Sequence, residues 1–231
     1  MSVSAVRVSA KTTAKSAIIF VHGLGDSGEG WSWFPQLLKG MGIISPAVLD
    51  ATNFVFPNAP TIPISVNGGY QMPGWFDIFE FGNIKARQDI PGFLRSCEVL
   101  KALIEEQVNV HNVPREKIII GGFSQGAAIA LATASLLESK VGGVVALSGF
   151  CPIIDEIKKL HNKNGTNFSI PVFQGHGTAD PIIAHQYGQL TAEFYQSLGF
   201  TNYRFKSYPG MAHSAGDDEL VDVAKFLKDV L

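Results

Sequence analysis

Two periods of apolar residues run through the chain. Residues 17–21 (Ala-Ile-Ile-Phe-Val) form a continuous apolar run closed by His22-Gly23, the pattern of a central strand covered on both faces. Residues 53–56 repeat it and stop at Pro57-Asn58, and the runs at 118–120, 142–147, 170–175 and 203–208 predict four further strands. A short first strand is expected at 6–8. Between these runs the apolar spacing changes to three and four. Residues 90–108 place Phe93, Leu94, Cys97, Leu100, Leu103 and Ile104 on one helical face, and 219–231 do the same with Leu220, Val223, Phe226, Leu227 and Val230. Helices are also predicted at 31–40, 125–138, 153–160 and 183–198, with Gly42 and Pro46 ending the first of these regions and a polar loop at 162–167. Strands alternating with helices predict an α/β fold with a mostly parallel sheet and helices on both faces. No repeat or linker divides residues 1–231, so a single domain is expected.

One stretch fits neither period. Residues 59–83 hold Pro60, Pro63, Gly68, Gly69, Pro73 and Gly74, yet also Ile62, Ile64, Val66, Tyr70, Met72, Trp75, Phe76, Phe79 and Phe81. A connection of that length is usually functional or disordered, and this one is too apolar for a disordered linker.

Composition narrows the class. With 231 residues, 46% hydrophobic and 16% charged, the chain can bury a large core, and a net charge of −2 recommends neither nucleic acid nor an anionic membrane as partner. The two cysteines, Cys97 and Cys151, are far apart and outside any CxxC pattern, which argues against a zinc site or disulfide framework and suits a reducing compartment. No signal-peptide core, no apolar run of spanning length, no myristoylation pattern (residue 2 is Ser) and no prenylation box are present. A cytoplasmic protein is the expectation, with the nucleus also open to it.

The chemistry gathers at strand ends, where open α/β sheets carry their sites. Ile118-Ile119-Ile120-Gly121-Gly122-Phe123-Ser124-Gln125-Gly126 runs into an alanine-rich helix. In that strand–turn–helix context Gly-x-Ser-x-Gly presents the serine on a strained elbow; by itself the pattern also fits a glycine-rich turn with a capping serine. Later strand ends carry His176-Gly177-Thr178-Ala179-Asp180-Pro181 and Pro209-Gly210-Met211-Ala212-His213-Ser214. The order Ser124, Asp180, His213 is that of the α/β-hydrolases. A serine hydroxyl is a weak nucleophile, so His213 is expected to take its proton and then give it to the leaving group, while Asp180 fixes the imidazole tautomer. Asp155, Asp217 and Asp218 are the rival acids; the first falls early for this order and the others follow the histidine.

Acyl transfer also needs two backbone N–H groups aimed at the developing oxyanion. Gln125, after the nucleophile, is one candidate, and Leu24 in His22-Gly23-Leu24-Gly25-Asp26 is the other, with His22 bracing the loop. The same residues formally match a dinucleotide fingerprint, Gly23-x-Gly25-x-x-Gly28, but the acid required at the end of the next strand is missing: Phe56-Pro57-Asn58 stands there. No metal-ligand spacing appears and no cofactor is implied. Cys97 reads as core, and Cys151 as buried near the rim of the site.

With these residues in place, the sequence resembles the acyl-protein thioesterase family of small cytosolic α/β-hydrolase carboxylesterases and lysophospholipases. The matching segments are HGLGDSG (22–28), NFVFPNAP (53–60), NGG (67–69), MPGWFD (72–77), GGFSQGAA (121–128), ALSGF (146–150), GHGTAD (175–180) and GMAHS (210–214), in family order through nearly the whole chain. The resemblance implies removal of long-chain acyl groups from S-palmitoylated proteins, with side activity on lysophospholipids and simple esters. It places the triad on Ser124, Asp180 and His213 and the oxyanion hole on Leu24 and Gln125. It lays the 59–83 connection along an acyl groove, with Ile64, Met72, Trp75 and Phe76 as the expected lining. Animal members carry a palmitoylated cysteine at position 2; Ser2 here implies only transient membrane contact. The connection after Ser148 is too short for a large cap domain. A carboxylesterase or lysophospholipase on small esters, and a non-catalytic acyl-binding protein, are the alternatives. A monomer and a weak dimer both fit the sequence.

Overall fold

Every residue of the strand Ser16–Val21 is buried, as its unbroken apolar run requires. Around it a computed structural model, which describes residues 3–82 and 86–231, assembles the rest of the chain. Ser2, and Asn83 at the far end of the 59–83 connection, lie outside the described residues.

The strands are β1 (Ala5–Val8), β2 (Ser16–Val21), β3 (Thr52–Pro57), β4 (Thr61–Ile64), β5 (Tyr70–Pro73), β6 (Ile118–Phe123), β7 (Gly143–Leu147), β8 (Val172–Gly177) and β9 (Tyr203–Tyr208). The helices are α1 (Phe34–Met41), α2 (Pro46–Asp50), α3 (Ile90–Asn109), α4 (Gln125–Leu136), α5 (Ile154–Leu160), α6 (His185–Leu198) and α7 (Asp217–Val230). Seven strands form one sheet in the order β1-β3-β2-β6-β7-β8-β9. All neighbours are parallel except β1, which runs antiparallel to β3 at the edge.

Register explains the two cores. Ile19 pairs with Ile120, Ile120 with Val144, and Val144 with Val172, so one row of β-branched side chains faces one way. That row packs against Leu100, Leu103 and Ile104 of α3, the alanines of α4 and Tyr195 of α6. Ile18 and Ile119 point the other way, onto Phe34 and Leu38 of α1, Leu49 of α2 and Val223 and Leu227 of α7. Eleven of the twelve residues of α4 are buried, which accounts for its run of small side chains: the central helix behind the sheet has no solvent face.

Most predicted elements are found within a residue or two, and the exceptions have local causes. Pro46, expected to end a region, opens α2 instead. Its fixed φ suits the first helical position, and the Ser45 hydroxyl accepts the Val48 N–H at 3.3 Å. The 59–83 connection contains an unpredicted hairpin, β4–β5, with Gly68 and Gly69 supplying the positive φ of its turn. The strand predicted at 170–175 is displaced, so His176 and Gly177 sit inside β8 rather than in the loop beyond it. The helix expected to reach 138 stops at Leu136.

Candidate active site

Ser124 lies between β6 and α4 with φ 56° and ψ −116°, a conformation that costs a non-glycine residue about 1–3 kcal/mol. What holds it there is crowding from both sides. A Cβ on Gly126 would stand 1.9 Å from the Val21 carbonyl oxygen, and one on Gly122 would stand 2.4 Å from Gly126. With both positions bare, α4 packs directly over β2 and β6, and the serine is forced out at the turn.

Two other strand ends converge on it. His213, in the loop after β9, brings Nε2 to 3.0 Å from Ser124 Oγ and Nδ1 to 2.7 Å from Asp180 Oδ2. A carboxylate can only accept, so Nδ1 carries the proton and Nε2 presents its lone pair to the serine hydroxyl. Asp180 is buried, and its second oxygen accepts the backbone N–H groups of Ile182 and Ile183 at 2.8 and 2.9 Å. The Phe123 ring lies 4.8 Å from the His213 ring and backs it. The rival acids are elsewhere: Asp155 faces solvent on α5 opposite Lys158, and Asp217 and Asp218 are exposed in the first turn of α7.

Leu24 and Gln125 both line the cavity beside Ser124. Gln125 opens α4, where the first N–H groups have no intrahelical acceptor. The Leu24 loop is fixed by His22, which is fully buried. Its Nε2 accepts from the Ala59 N–H at 3.1 Å, so Nδ1 bears the proton and donates to the Gly23 carbonyl at 2.7 Å. Burial holds this imidazole below its ordinary pKa, and it stays neutral. Gly28, the last glycine of the apparent dinucleotide fingerprint, has a packing reason instead: a Cβ there would lie 2.2 Å from the Phe56 carbonyl oxygen.

The expected groove lining needs correction. Ile64, Trp75 and Phe76 are 0, 3 and 6% exposed, Met72 sits half-buried in the hairpin, and none of the four borders the cavity at Ser124. Trp75 is an anchor. Its N–H donates to Gln125 Oε1, its indole N–H to the His22 carbonyl at 2.9 Å, and its carbonyl accepts from Ser96 of α3. The Gln125 amide in turn donates to the Phe76 carbonyl at 2.9 Å, and the Phe76 ring packs on Phe93. Sequence reasoning assigned Gln125 only a backbone role; its side chain also ties the connection to α4.

The cavity itself measures about 260 Å³. Its walls come from Leu24, Ile78, Phe79, Phe81, Phe150 and Tyr187, with Ile182 and Ile183 beside the acid. The segment bearing Ile78 to Phe81 is held by an antiparallel bridge between Ile78 and Gln88 and by Arg87 stacked 4.6 Å over Phe79. The Tyr187 hydroxyl donates to the Gly82 carbonyl at 2.7 Å. The missed residues carried a signal: Phe150 and Ile182-Ile183 follow strand ends immediately beside chemistry-bearing motifs.

Cys97 and Cys151 are both free and buried, and burial pushes each thiol up to about 12, so both stay protonated and inert. Among the described residues no group of three or more His, Cys, Asp or Glu is placed to hold a metal ion. None of their helices is long and apolar enough to cross a membrane.

Residues 3–231 match the sequence profile of the phospholipase/carboxylesterase family. The chain is 61% identical to acyl-protein thioesterase 1 of Debaryomyces hansenii, over 99% of this chain and 97% of that one. It is 46% identical to acyl-protein thioesterase 1 of Saccharomyces cerevisiae, over 98% of each. Among solved structures, Arabidopsis thaliana SOBER1 superposes with a TM-score of 0.84 at 29% identity, covering 94% of this chain and 99% of that one. Zea mays acyl-protein thioesterase 2 gives 0.79 at 29% identity, with 97% of each chain covered.

Proposed function

This chain belongs to the phospholipase/carboxylesterase family, among its acyl-protein thioesterases, and from that premise we propose that it is a serine hydrolase removing long-chain acyl groups from S-acylated proteins. The observation that carries the proposal is the continuous Asp180–His213–Ser124 hydrogen-bonded series opening onto a cavity walled by aromatic and aliphatic side chains.

The chemistry proceeds from that geometry. Ser124 Oγ attacks the thioester carbonyl carbon while His213 Nε2 takes the hydroxyl proton. The negative charge that develops on the carbonyl oxygen is met by the backbone N–H groups of Leu24 and Gln125. Asp180 stabilises the imidazolium and keeps its Nδ1 proton in place. The tetrahedral centre collapses, the C–S bond breaks, and the leaving thiolate receives the proton from Nε2. The acyl group is now an ester of Ser124. Water attacks it, giving its proton to the same nitrogen; the C–Oγ bond breaks, the proton returns to Oγ, and the fatty acid leaves.

The cavity supplies chain preference, each buried methylene adding about 0.8 kcal/mol of binding. Oxyesters fit the same machinery, and the apolar walls take the acyl chain whatever it is attached to, so lysophospholipids are a second substrate class. Residues 1–231 act as one domain. Two buried free thiols suit the cytoplasm, with brief visits to membrane-bound substrates.

A palmitoylated peptide and a lysophospholipid, each offered to wild type and Ser124→Ala, test the proposal. Loss of both hydrolyses together with loss of fluorophosphonate labelling in the variant is expected. Acyl-chain binding without turnover in the wild type would leave an acyl-binding protein instead.

A further inference from the structure

The mechanism uses one imidazole, that of His213, yet a second lies behind the acid. His176, on β8, is completely buried. Its Nε2 is 2.9 Å from the Ile183 carbonyl oxygen and 3.4 Å from Asp180 Oδ2. A carbonyl only accepts, so Nε2 bears the proton and donates to Ile183, while lying alongside the carboxylate. Nδ1 is therefore unprotonated. It faces α6 at Gly188, where a Cβ would stand 2.4 Å away, and no hydrogen-bond donor among the described residues reaches it. Burial holds the ring neutral, so what it exerts on Asp180 is direction rather than charge. A buried polar atom without a partner is destabilising. In return His176 fixes one carbonyl.

That carbonyl belongs to a turn closed by the Asp180 side chain. Asp180 Oδ1 accepts the N–H groups of both Ile182 and Ile183, so the acid and the two isoleucines form one closed hydrogen-bonded unit, latched from below by His176. Both isoleucine side chains line the cavity, and Ile182 is 48% exposed at its mouth. Four residues thus contain the partner of His213 at one end and part of the acyl wall at the other.

We propose that His176 is a positioning residue that locks the cavity wall to Asp180, so that a long acyl chain packed on Ile182 and Ile183 raises turnover at Ser124 as well as binding. This rests on the serine-hydrolase reading above. An acyl chain against the wall holds the turn in the arrangement in which Oδ2 meets the His213 N–H, and the latch transmits that constraint to the carboxylate. A chain too short to reach the wall leaves the turn without this support. Without the latch, the wall still binds the chain and its N–H groups still meet Oδ1, but the Ile183 carbonyl is free to shift and the turn holds the acid less firmly.

The test compares kcat and KM for matched acyl thioesters of four and sixteen carbons, with active enzyme counted by fluorophosphonate labelling. In the wild type kcat should rise with chain length. In His176→Phe, which keeps a ring but no donor, KM for the long substrate should change little, while the gain in kcat should fall by about tenfold. His176→Gln, whose amide N–H reaches the position of Nε2, should restore the gain. Should His176→Phe not fold, Pro181→Gly loosens the same turn from its exposed side and should lower the gain in kcat in the same way. The proposal is overturned by a wild-type kcat indifferent to chain length, by an unchanged gain in the variant that is measured, or by a loss equal at both lengths that His176→Gln does not relieve. A wild-type protein in which Ser124 takes no label would instead remove the serine-hydrolase reading itself.

Discussion

The elbow at Gly122 to Gly126 and the connection between β3 and α3 are both rich in turn-forming residues, and they carry opposite lessons. In the elbow each residue type answers to contacts within the motif or on a neighbouring strand: the two glycines are there because neighbouring backbone would lie within 2.6 Å of a Cβ at either position. In the connection the residue types answer to distant partners. Trp75 and Phe76 are apolar because α3 and α4 lie beneath them, whereas Phe79 and Phe81, a few residues on, are apolar because they wall a cavity. The same chemistry of side chain serves packing in one half and the site in the other.

Substitutions on the two sides of this contrast should separate cleanly. The largest effect is expected from Asp180→Asn, which keeps the size of the side chain but reverses the hydrogen-bond sense toward His213 Nδ1. Turnover should fall roughly 10³–10⁴-fold with Ser124 still in place, measured as kcat on a thioester. A fall below tenfold would mean that another group orients the imidazole. On the packing side, Ile64→Ala should lower stability by about 2–5 kcal/mol in urea denaturation while leaving chain-length preference untouched. If instead that variant binds long acyl chains less well at unchanged stability, Ile64 lines the acyl groove.

A third effect lies outside both regions and calibrates them. Glu219, in the first turn of α7, is fully buried against Gly175 of β8, and burial raises its carboxyl to about 8. Between its ordinary value of 4.5 and about 8, the folded protein holds a proton that the unfolded chain has lost. Stability contributed by this group is therefore complete below the lower value and declines as pH rises through the window, by about 1.4 kcal/mol per unit. Glu219→Gln should flatten that slope. Paired denaturation curves at acidic and alkaline pH should show the variant gaining a few kcal/mol over wild type only at the alkaline end; parallel curves would show that Glu219 is charged in the fold. The smallest effect is expected from Phe81→Ala. With its ring half exposed at the cavity mouth, KM for a sixteen-carbon substrate should rise about fivefold, with thermal stability unchanged.

Legibility in the sequence followed the same division. The sheet, both its faces and the convergence of Ser124, Asp180 and His213 could be anticipated, because each depends on local period or on strand-end placement in a fold with few topologies. The hairpin β4–β5 escaped because its strands, each of four residues and each carrying one proline, have no interior alternation to detect. The groove lining was misplaced for a different reason: hydrophobicity records that a side chain leaves water, and says nothing of whether it meets protein or ligand. The side-chain role of Gln125 and the latch of His176 were invisible because both depend on partners 50 and 7 residues away that only the fold brings near.

The triad's most direct consequence is a covalent intermediate at Ser124. Wild-type protein mixed with a palmitoyl-thioester peptide, quenched in acid during turnover and digested, should yield the peptide spanning Ser124 with the added mass of one palmitoyl group, and Ser124→Ala should yield none. Thioester hydrolysis that continues without acylation of Ser124, or with the acyl group found on another residue, would contradict it.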